Sequence, residues 1–295
     1  MRIHVVANPT AGRGKVPGLV RDLAARLERE GARVTTYSTV AAGDARAHVS
    51  LLAGDATDRL VVVGGDGTLH EVANALPPPA PWPVAIVPVG TANLVARDAH
   101  MPLRGGVDAL ARAILDGVPW TVDLLETDRG FAVATAGVGL DAEVVEAVAK
   151  ARGGKAGGYA RWVGPIAKTF SEYAPPRLTA VVDGKAYEGA AVVVQNARNY
   201  GGLFELSPTA RMDDGVLDVV VIRGGHRRDF FRVLLAAFAR RVQGMRDVTI
   251  ATGTSVEIRS EEPAAVQIDG DPGGATPLSV RVRPRSFTLL RAPPR

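Results

Sequence analysis

Hydrophobic positions in the first 123 residues alternate between strand-like runs and helical spacing. Continuous runs typical of strands occur at residues 3–7, 33–38, 60–63 and 84–89. Apolar residues recur at helical intervals over residues 16–27, 44–52, 68–76 and 107–115. This alternation predicts a mostly parallel sheet with helices on both faces, in which ligands bind beyond the carboxyl ends of the strands.

After about residue 124 the pattern changes to short apolar runs separated by turn residues. These runs occur at residues 131–135, 178–182, 190–194, 217–222, 248–250, 255–259, 265–268 and 278–282. Asp183-Gly184 stands between two strand-like segments and is a hairpin signal. The second half is therefore predicted to be an all-β sandwich or barrel-like domain with two or three helical insertions. A last strand-like run, 286–291, could pair with either half.

Segment 60–71, Leu-Val-Val-Val-Gly-Gly-Asp-Gly-Thr-Leu-His-Glu, is the most informative about chemistry. A buried strand ends at two glycines, Asp66 follows, and helical spacing begins at once. Thr68 is expected to cap that helix, with Glu71 completing a capping box. Glycines let phosphates approach the backbone, a helix start offers N–H donors, and Asp66 can engage magnesium directly or through water. This segment predicts a polyphosphate and magnesium site.

Two further loops follow strands of the same predicted sheet. Residues 8–15, Asn-Pro-Thr-Ala-Gly-Arg-Gly-Lys, form a strand-to-helix turn suited to phosphate or adenosine, although a plain tight turn is the simpler explanation of this loop alone. Residues 88–93 bring Thr91 and Asn93 to another strand end. Three loops are thus expected to converge on one crevice. The chain has no P-loop spacing, no GxGxxG fingerprint and no GxSxG elbow.

Two acidic turns occur in the second half. Asp213-Asp214-Gly215 precedes a strand and is either an Asx-type turn or a hard-cation site built from one carboxylate and backbone carbonyls. Asp269-Gly270-Asp271 follows an apolar run. It is either an ordinary hairpin or the place where a carboxylate accepts a proton from a substrate hydroxyl.

Composition narrows the class of protein. Of the 295 residues, 46% are hydrophobic and 22% charged, which indicates a folded, globular protein. No cysteine is present, so disulfides and thiolate metal sites are excluded. The net charge of +4 suits phosphate-bearing ligands or an anionic membrane, but it is equally a feature of arginine-rich compositions. Aromatic residues are only 5%, without basic-aromatic interleaving, so nucleic acid is not an expected partner. The five histidines form no metal or triad pattern.

Taken together and in this order, the motifs resemble the diacylglycerol kinase catalytic-domain family, which includes bacterial soluble lipid kinases and is related to the sphingosine kinases. The resemblance runs from residue 3 to about residue 290. It is carried by Asn8-Pro9-Thr10-Ala11-Gly12, Gly64-Gly65-Asp66-Gly67-Thr68, Gly90-Thr91-Ala92-Asn93, Pro208 to Gly215, and Asp269-Gly270-Asp271. The second of these elements is shared with NAD kinases and phosphofructokinase relatives, so the two acidic turns are what favour a lipid kinase.

The resemblance implies an α/β ATP-binding domain over residues 1–123, joined by residues 287–295, and an antiparallel β-sandwich over residues 124–286 that completes the active site. It implies an ATP- and Mg-dependent kinase that phosphorylates a lipid hydroxyl, with diacylglycerol to phosphatidic acid as the first expectation. Carried over by position, it implies ATP contacts at Asn8, Pro9, Thr10, Ala11, Gly12, Thr39, Gly65, Asp66, Gly67, Thr68, Leu69, His70, Glu71, Thr91 and Asn93.

The same resemblance implies the metal and catalytic residues. Asp66 and Asp123 are expected in a carboxylate–water network around catalytic magnesium. A structural magnesium is expected on the carbonyls of Arg211 and Val216 and the side chain of Asp214. Where the family usually has Asp-Gly-Glu, this chain has the shorter Asp271, which leaves the base open between Asp269 and Asp271. Leu94 stands where many relatives carry Asp, which removes one contributor to the metal network.

Two segments are candidates for contact with a membrane: residues 150–158, which are basic and glycine-rich, and residues 226–244, which combine arginines with Phe and Leu. The apolar face of the second segment could lie on anionic lipid, but packing against its own domain is the favoured interpretation. The expected location is the cytoplasm, with peripheral contact at the inner membrane face, and a homodimer is compatible with the sequence. A soluble-metabolite kinase of the NAD kinase type and a non-catalytic nucleotide-binding relative are the alternatives.

Overall fold

The computed structural model describes residues 1–52, 57–76, 78–151, 160–224 and 226–293. The chain divides into two compact units. Unit 1 consists of Met1–Val122 and Arg285–Arg295, and unit 2 of Asp123–Pro284. In the described part of the chain no helix is long and apolar enough to cross a lipid bilayer.

Unit 1 alternates strands and helices. Its strands are β1 (Arg2–Ala7), β2 (Arg33–Ser38), β3 (Arg59–Gly64) and β4 (Val84–Pro88). Its helices are a 3-10 turn (Ala11–Gly14), α1 (Val16–Arg29), α2 (Asp44–Leu51), α3 (Asp66–Ala73), α4 (Leu94–Asp98) and α5 (Gly106–Leu115). The strands run parallel in the order β2-β1-β3-β4. The predicted parallel α/β architecture is confirmed.

Unit 2 is mainly antiparallel. Its strands are β5 (Val118–Thr127, which begins in unit 1), β6 (Gly130–Ala132), β7 (Thr135–Val138), β8 (Leu178–Val182), β9 (Lys185–Gly189), β10 (Ala191–Gln195), β11 (Leu217–Ile222), β12 (Val248–Gly253), β13 (Ser255–Ser260), β14 (Ala265–Ile268), β15 (Asp271–Ala275) and β16 (Leu278–Arg291). Its helices are α6 (Leu140–Ala151), α7 (Ala160–Glu172) and α8 (Arg227–Phe238). One sheet contains β16-β13-β8-β9, and a second has the order β12-β11-β10-β7-β14-β15.

Alternate residues of the strands in unit 2 face two different cores. Val192 and Val219 of the second sheet share a buried cluster with Val256 and Val280 of the first, so the two sheets pack as a sandwich. The opposite face of the second sheet is covered by helical residues, with Val193 and Val220 in one cluster with Phe230 and Val233 of α8. The predicted β-sandwich class is confirmed, and its helices cover one of its faces.

Several elements differ from the sequence prediction. The run 131–135 is divided between β6 and β7, whereas 278–282 and 286–291 form the single 14-residue strand β16. β5, β9, β15 and the short helix α4 were not predicted. β9 and β15 are mostly exposed edge strands, and β15 carries Pro272 and two glycines, so neither shows a buried apolar pattern.

The Asp183-Gly184 hairpin is confirmed. These residues connect β8 to β9 with φ of 43° and 86°, which are the left-handed conformations that a two-residue hairpin turn requires. Of the two segments considered for membrane contact, residues 152–158 of the first lie outside the described residues.

Candidate active site

The three glycine-containing loops of unit 1 lie side by side at the carboxyl ends of their strands. The backbone N–H of Asn8 donates to the carbonyl of Val63 at 2.9 Å, and the N–H of Val89 donates to that of Gly64 at 3.0 Å. The Asn8 side-chain amide lies 3.4 Å from the hydroxyl of Thr68. The expected convergence of the loops is confirmed, because adjacent parallel strands end at the same edge.

Gly65 and Gly90 let two of these loops touch backbone to backbone. A Cβ built on Gly90 would lie 2.6 Å from the Cα of Gly65 and 2.9 Å from Oδ1 of Asn93, which leaves no room for a side chain. Asn93, with a φ of 51°, uses its side chain to hold this turn. Its Oδ1 accepts the N–H of Gly90 at 3.0 Å, and its Nδ2 donates to the carbonyl of Gly90 at 2.9 Å. Asn93 therefore shapes the loop.

Helix α3 begins three residues earlier than a cap at Thr68 implies, and the predicted capping box is wrong. Gly65 occupies the N-cap position in an extended conformation, and no side chain caps the helix. Both carboxylate oxygens of Glu71 accept backbone N–H groups from the start of α2, those of Gly43, Ala45 and Arg46, at 2.9, 3.1 and 3.4 Å. Because no side chain is committed to the start of α3, its first amides suit an anionic ligand.

The other residues implied for ATP fall into two groups. The backbone N–H and the hydroxyl of Thr10 both donate to Oδ1 of Asn8, so the first loop is internally braced. Thr39 follows β2, is buried, and donates its N–H to the carbonyl of Ala7, which places it at the same strand edge. Leu69, in contrast, is fully buried, so its side chain belongs to the core. His70 is half-buried and contacts Asn74 one turn along α3.

Asp66 is the first residue of α3 and reaches the start of α4. The N–H of Val95 lies 3.4 Å from its Oδ1. Leu94, the residue before Val95, is 7% exposed, so its side chain is part of the apolar core. Asp66 thus stands at the start of α3, directly after the glycine loop, and contacts the start of α4.

In unit 2, Asp123 fastens the first acidic turn. Its Oδ2 accepts the N–H of Gly215 at 2.7 Å, and its own N–H donates to the carbonyl of Met212 at 2.6 Å. Within the turn, the N–H of Val216 contacts Oδ1 of Asp214 at 3.3 Å, which is the hydrogen bond of an Asx turn. The residues implied for the metal in this unit, Asp123, Arg211, Asp214 and Val216, therefore share one small region.

This region carries more negative than positive charge. Burial raises the pKa of Asp214, the charges of Asp218 and Asp123 raise it further, and Arg211 opposes them. Asp218 is buried and accepts the hydroxyls of Ser207 and Thr209 at 2.6 and 2.8 Å. Such an excess of carboxylate suits a hard cation. Within the described ranges no group of three or more His, Cys, Asp or Glu is arranged to hold a metal, so magnesium there would also need carbonyls, water or phosphate oxygens.

The two acids of the second acidic turn have different environments. Asp269 and Gly270 form the turn between β14 and β15, with φ of 50° and 83°. The Asp269 carboxylate is buried and accepts three backbone N–H groups, from Val133, Ala134 and Thr135, at 2.7, 2.8 and 3.0 Å. Asp271 begins β15 opposite Ile268 and is exposed. One acid is thus held by the fold, while the other faces solvent.

Comparison with known families agrees with this geometry. Residues 2–127 match the Diacylglycerol kinase catalytic domain, and residues 134–291 match the YegS C-terminal NAD kinase beta sandwich-like domain. The chain belongs to the diacylglycerol kinase catalytic-domain family. It is accordingly a member of a family of phosphotransferases, as the motifs implied.

Relatives match over nearly the whole chain. A Diacylglycerol kinase of Bacillus subtilis (strain 168) is 26% identical, with 94% of this chain and 91% of that protein covered. One of Staphylococcus carnosus (strain TM300) is also 26% identical, with the same coverage. Among solved structures, a diacylglycerol kinase from Bacillus anthracis str. Sterne has a TM-score of 0.75 at 21% identity, covering 99% of this chain and 97% of that one. An NAD kinase from Archaeoglobus fulgidus, solved with ATP, has a TM-score of 0.53 at 13% identity, covering 99% and 94%. These two structures show the shared fold.

Asn196 is a residue of the candidate site that the sequence did not predict. Asn196, fully buried, donates its side-chain amide to the carbonyls of Asp123 and Val133 at 2.9 and 2.8 Å. Val133 in turn donates its N–H to Asp269, so Asn196 connects the two acidic elements of unit 2. The available signal was the pair Gln195-Asn196 at the end of an apolar strand, where buried amides need partners.

Proposed function

We propose that this protein is an ATP- and Mg-dependent lipid kinase that transfers the γ-phosphoryl group of ATP to a lipid hydroxyl. Diacylglycerol, giving phosphatidic acid, is the first candidate substrate. The observation that carries this proposal is the name Diacylglycerol kinase borne by relatives that match 94% of the chain. The two unlike carboxylates of the Asp269-Gly270-Asp271 turn supply a chemical reason for it, since a hydroxyl acceptor needs a proton acceptor.

ATP would be held by the loops of unit 1. The start of α3 has no side chain at its N-cap, Gly65, so its first amides suit phosphate oxygens, and the close approach of Gly65 and Gly90 keeps side chains out of this part of the loops. Thr10, Thr39 and Thr91 line the same strand edge and offer hydroxyls to the nucleotide. Of the residues implied by the resemblance, Leu69 would contribute only its backbone, and Glu71 acts through the start of α2.

The family resemblance implies Asp66 and Asp123 as the carboxylates for catalytic magnesium, whose other ligands would be phosphate oxygens and water. Bound there, it would offset the charge of the phosphates, which is the chief chemical need in phosphoryl transfer. A second, structural ion would rest on Asp214 and on the carbonyls of Arg211 and Val216, where burial and, after it, the charges of Asp218 and Asp123 raise the pKa of Asp214.

Asp271 is the better candidate for the base. The Asp269 carboxylate is buried and already accepts three backbone N–H groups, so its oxygens are engaged by the fold and are not available to a substrate hydroxyl. Asp271 is exposed at the start of β15 and would orient the lipid hydroxyl and take its proton as the hydroxyl oxygen attacks the γ-phosphorus. The bond from the γ-phosphorus to the bridging oxygen would break in the same step, and ADP would leave. Asp269 would then act as a positioning residue, because it fixes the turn on which Asp271 stands.

The test is phosphorylation by the purified full chain with labelled ATP and Mg²⁺. Acceptors would be diacylglycerol, phosphatidylglycerol and a sphingoid base in mixed micelles, with NAD as a soluble acceptor. We expect label on a micellar lipid, loss of that label in Asp66→Ala and Asp271→Asn, and retained activity in the surface control Asp22→Asn. Label on NAD without detergent would replace the proposal by the soluble-metabolite alternative. ATP binding without transfer to any acceptor would replace it by a nucleotide-binding role.

A further inference from the structure

Helix α8 carries two apolar stripes, of which only one is covered. Phe230, Val233 and Ala237 are buried against the second sheet of unit 2. On another face, a set at helical spacing is exposed: Phe231 by 51%, Leu234 by 39%, Leu235 by 53% and Phe238 by 63%. We call these four residues the exposed stripe. A helix with one buried face normally has a polar opposite face, so the exposed stripe is unusual for a surface helix.

Neighbouring elements extend the exposed stripe. Phe170 of α7 meets Phe231 edge to face, with ring centroids 6.5 Å apart, and Phe204 meets Phe238 in the same way at 6.2 Å. Leu203, next to Phe204 in the chain, is 53% exposed. The apolar area is therefore a continuous surface across three segments of unit 2, larger than an isolated exposed side chain.

The exposed charged residues that flank the stripe are mostly arginines. Arg228, Arg232 and Arg240 are 80%, 62% and 70% exposed at their side chains. The carboxylates that they approach are less exposed, with Asp247 at 33%, Asp229 at 14% and Glu205 at 9%. Arg241 is exposed as well. Around the exposed stripe, the guanidinium groups are therefore more accessible to a ligand than the carboxylates with which they pair.

We propose that the exposed stripe and its arginines dock this protein on an anionic lipid bilayer. Apolar side chains with flanking cations are the combination by which a helix binds in the interface plane of such a membrane, since phosphates pair with arginine while Phe and Leu enter the acyl boundary. The charge pattern favours this occupant over a second copy of the chain, because two identical arginine-rimmed surfaces would repel each other. The docking proposal depends on the proposed lipid kinase function only in one respect: that function explains why membrane binding would be useful.

The experiment is co-sedimentation of the full chain with vesicles of phosphatidylcholine alone or mixed equally with phosphatidylglycerol. We expect binding to the anionic vesicles that falls with added salt. Because each ring is about half-exposed, Phe231→Ser with Phe238→Ser should weaken that binding roughly thirtyfold. The matched control is Val40→Ser with Leu51→Ser, two exposed apolar side chains of unit 1, which should bind as wild type.

A second pair of variants tests the charge. Arg228→Gln with Arg241→Gln should lower the preference for anionic vesicles about tenfold or more, whereas the exposed control Arg21→Gln with Arg33→Gln should change it little. Wild-type binding by both the Phe and the Arg variants, with circular dichroism showing all of them folded, would overturn the proposal. So would a dimer that the Phe variant converts to monomer without any change in vesicle binding.

Kinase assays separate this proposal from the proposed function. The Phe231→Ser, Phe238→Ser variant should lose phosphorylation of long-chain diacylglycerol in anionic vesicles and keep wild-type turnover of a short-chain diacylglycerol that is dispersed in water. Equal loss on both substrates would overturn a docking role for the stripe. If wild type transfers phosphate to no lipid yet binds vesicles through the stripe, the function proposal fails and the docking proposal stands.

Discussion

Gln267 connects Asp141 to the acidic turn that carries Asp269 and Asp271. Its Nε2 donates to Oδ2 of Asp141 at 3.2 Å, while its Oε1 accepts the N–H of Gly270 at 2.9 Å. The hydroxyl of Tyr200 donates to the same Asp141 oxygen at 2.9 Å. The other oxygen, Oδ1, is buried and has no hydrogen-bond partner among the described residues. Through Gln267, the turn is thus linked to the Asp141 carboxyl group, whose burial disfavours its charged form.

The buried environment of Asp141 predicts how the free energy of unfolding depends on pH. Burial raises the pKa of Asp141, although the hydrogen bonds from Tyr200 and Gln267 oppose the shift. A group whose pKa is raised on folding stabilises the fold below its unfolded pKa, and that contribution is lost as pH rises through the folded pKa. Asp141→Asn should therefore unfold at higher urea than wild type at pH 8, and the difference should shrink as the pH falls through the raised pKa of Asp141.

Urea titrations at several pH values make this measurement. Glu172→Gln, at an exposed position of α7, is the control and should follow wild type at every pH. A difference between Asp141→Asn and wild type that did not vary with pH would show that Asp141 does not titrate on unfolding.

The unlike environments of Asp269 and Asp271 predict opposite phenotypes. Asp269→Asn places an NH₂ donor against backbone N–H groups, so it should lower the free energy of unfolding by about 2–3 kcal/mol. Asp271→Asn, at an exposed position, should change that free energy by less than about 0.5 kcal/mol while kcat falls a hundredfold or more. Denaturant titrations and steady-state kinetics on both variants decide the assignment. The reverse pattern would make Asp269 the base.

The contact of Gly90 with Gly65 predicts a substitution that the nucleotide loops cannot accept. A Cβ on Gly90 overlaps the neighbouring backbone, so Gly90→Ala should cost about 1–3 kcal/mol of stability and weaken ATP binding. Gly18, within α1, has no atom near a built Cβ, and Gly18→Ala should stabilise the protein by about 0.5–1 kcal/mol. Thermal unfolding and ATP titration measure both effects. Equal behaviour of the two variants would contradict the close approach.

Glu71 caps a helix other than its own, which predicts a local effect. Glu71→Ala should cost about 1–2 kcal/mol and speed hydrogen exchange at the amides of Ala45 and Arg46. Glu28→Ala, on the exposed side of α1, is the matched control and should leave those amides unchanged. Unchanged exchange in the Glu71 variant would remove the capping role.

The acidic turn at Asp214 predicts a dependence on magnesium. Mg²⁺ should raise the unfolding midpoint of wild type, because a cation relieves the repulsion from Asp218 and Asp123. Asp214→Asn should be as stable as wild type or more so in chelator, and should respond little to Mg²⁺. Asp213→Asn, whose carboxylate pairs with Arg211 at 3.2 Å, should retain the response. Equal responses in the two variants would argue against a site at Asp214.

The elements predicted from the sequence are those whose own residues show an apolar pattern typical of buried strands or helices. Residues 60–63 of β3 and 84–87 of β4 are fully buried, so their continuous apolar runs marked them directly. Asp183-Gly184 marked its hairpin because the required backbone conformation is local. Elements that depend on distant partners were missed or misassigned. Glu71 matched a capping box in sequence, yet its partners lie 25 to 28 residues away.

The candidate site shows the same division. The motifs named the glycine loops and the acids that stand in turns, since glycine and aspartate at strand ends have a local chemical meaning. The roles of Asn196, Gln267 and Asp141 follow from contacts across the second sheet and are absent from any single stretch of sequence. The sequence also did not predict which of Asp269 and Asp271 is held by backbone amides. The amides that hold Asp269 belong to residues 134 to 136 positions earlier in the chain.

The final strand makes the order of synthesis matter for this chain. Leu289 of β16 pairs with Val84 of β4, and Phe287, Leu289 and Leu290 are buried in unit 1, although the rest of that unit ends at Val122. A ribosome must therefore produce all of unit 2 before the parallel strands of unit 1 can gain their last neighbour, the end of β16. Until then β4 has an unpaired strand edge. Unpaired edges promote aggregation and are bound by chaperones. Nascent chains stalled anywhere between residues 123 and 284 should accordingly be the most dependent on chaperones.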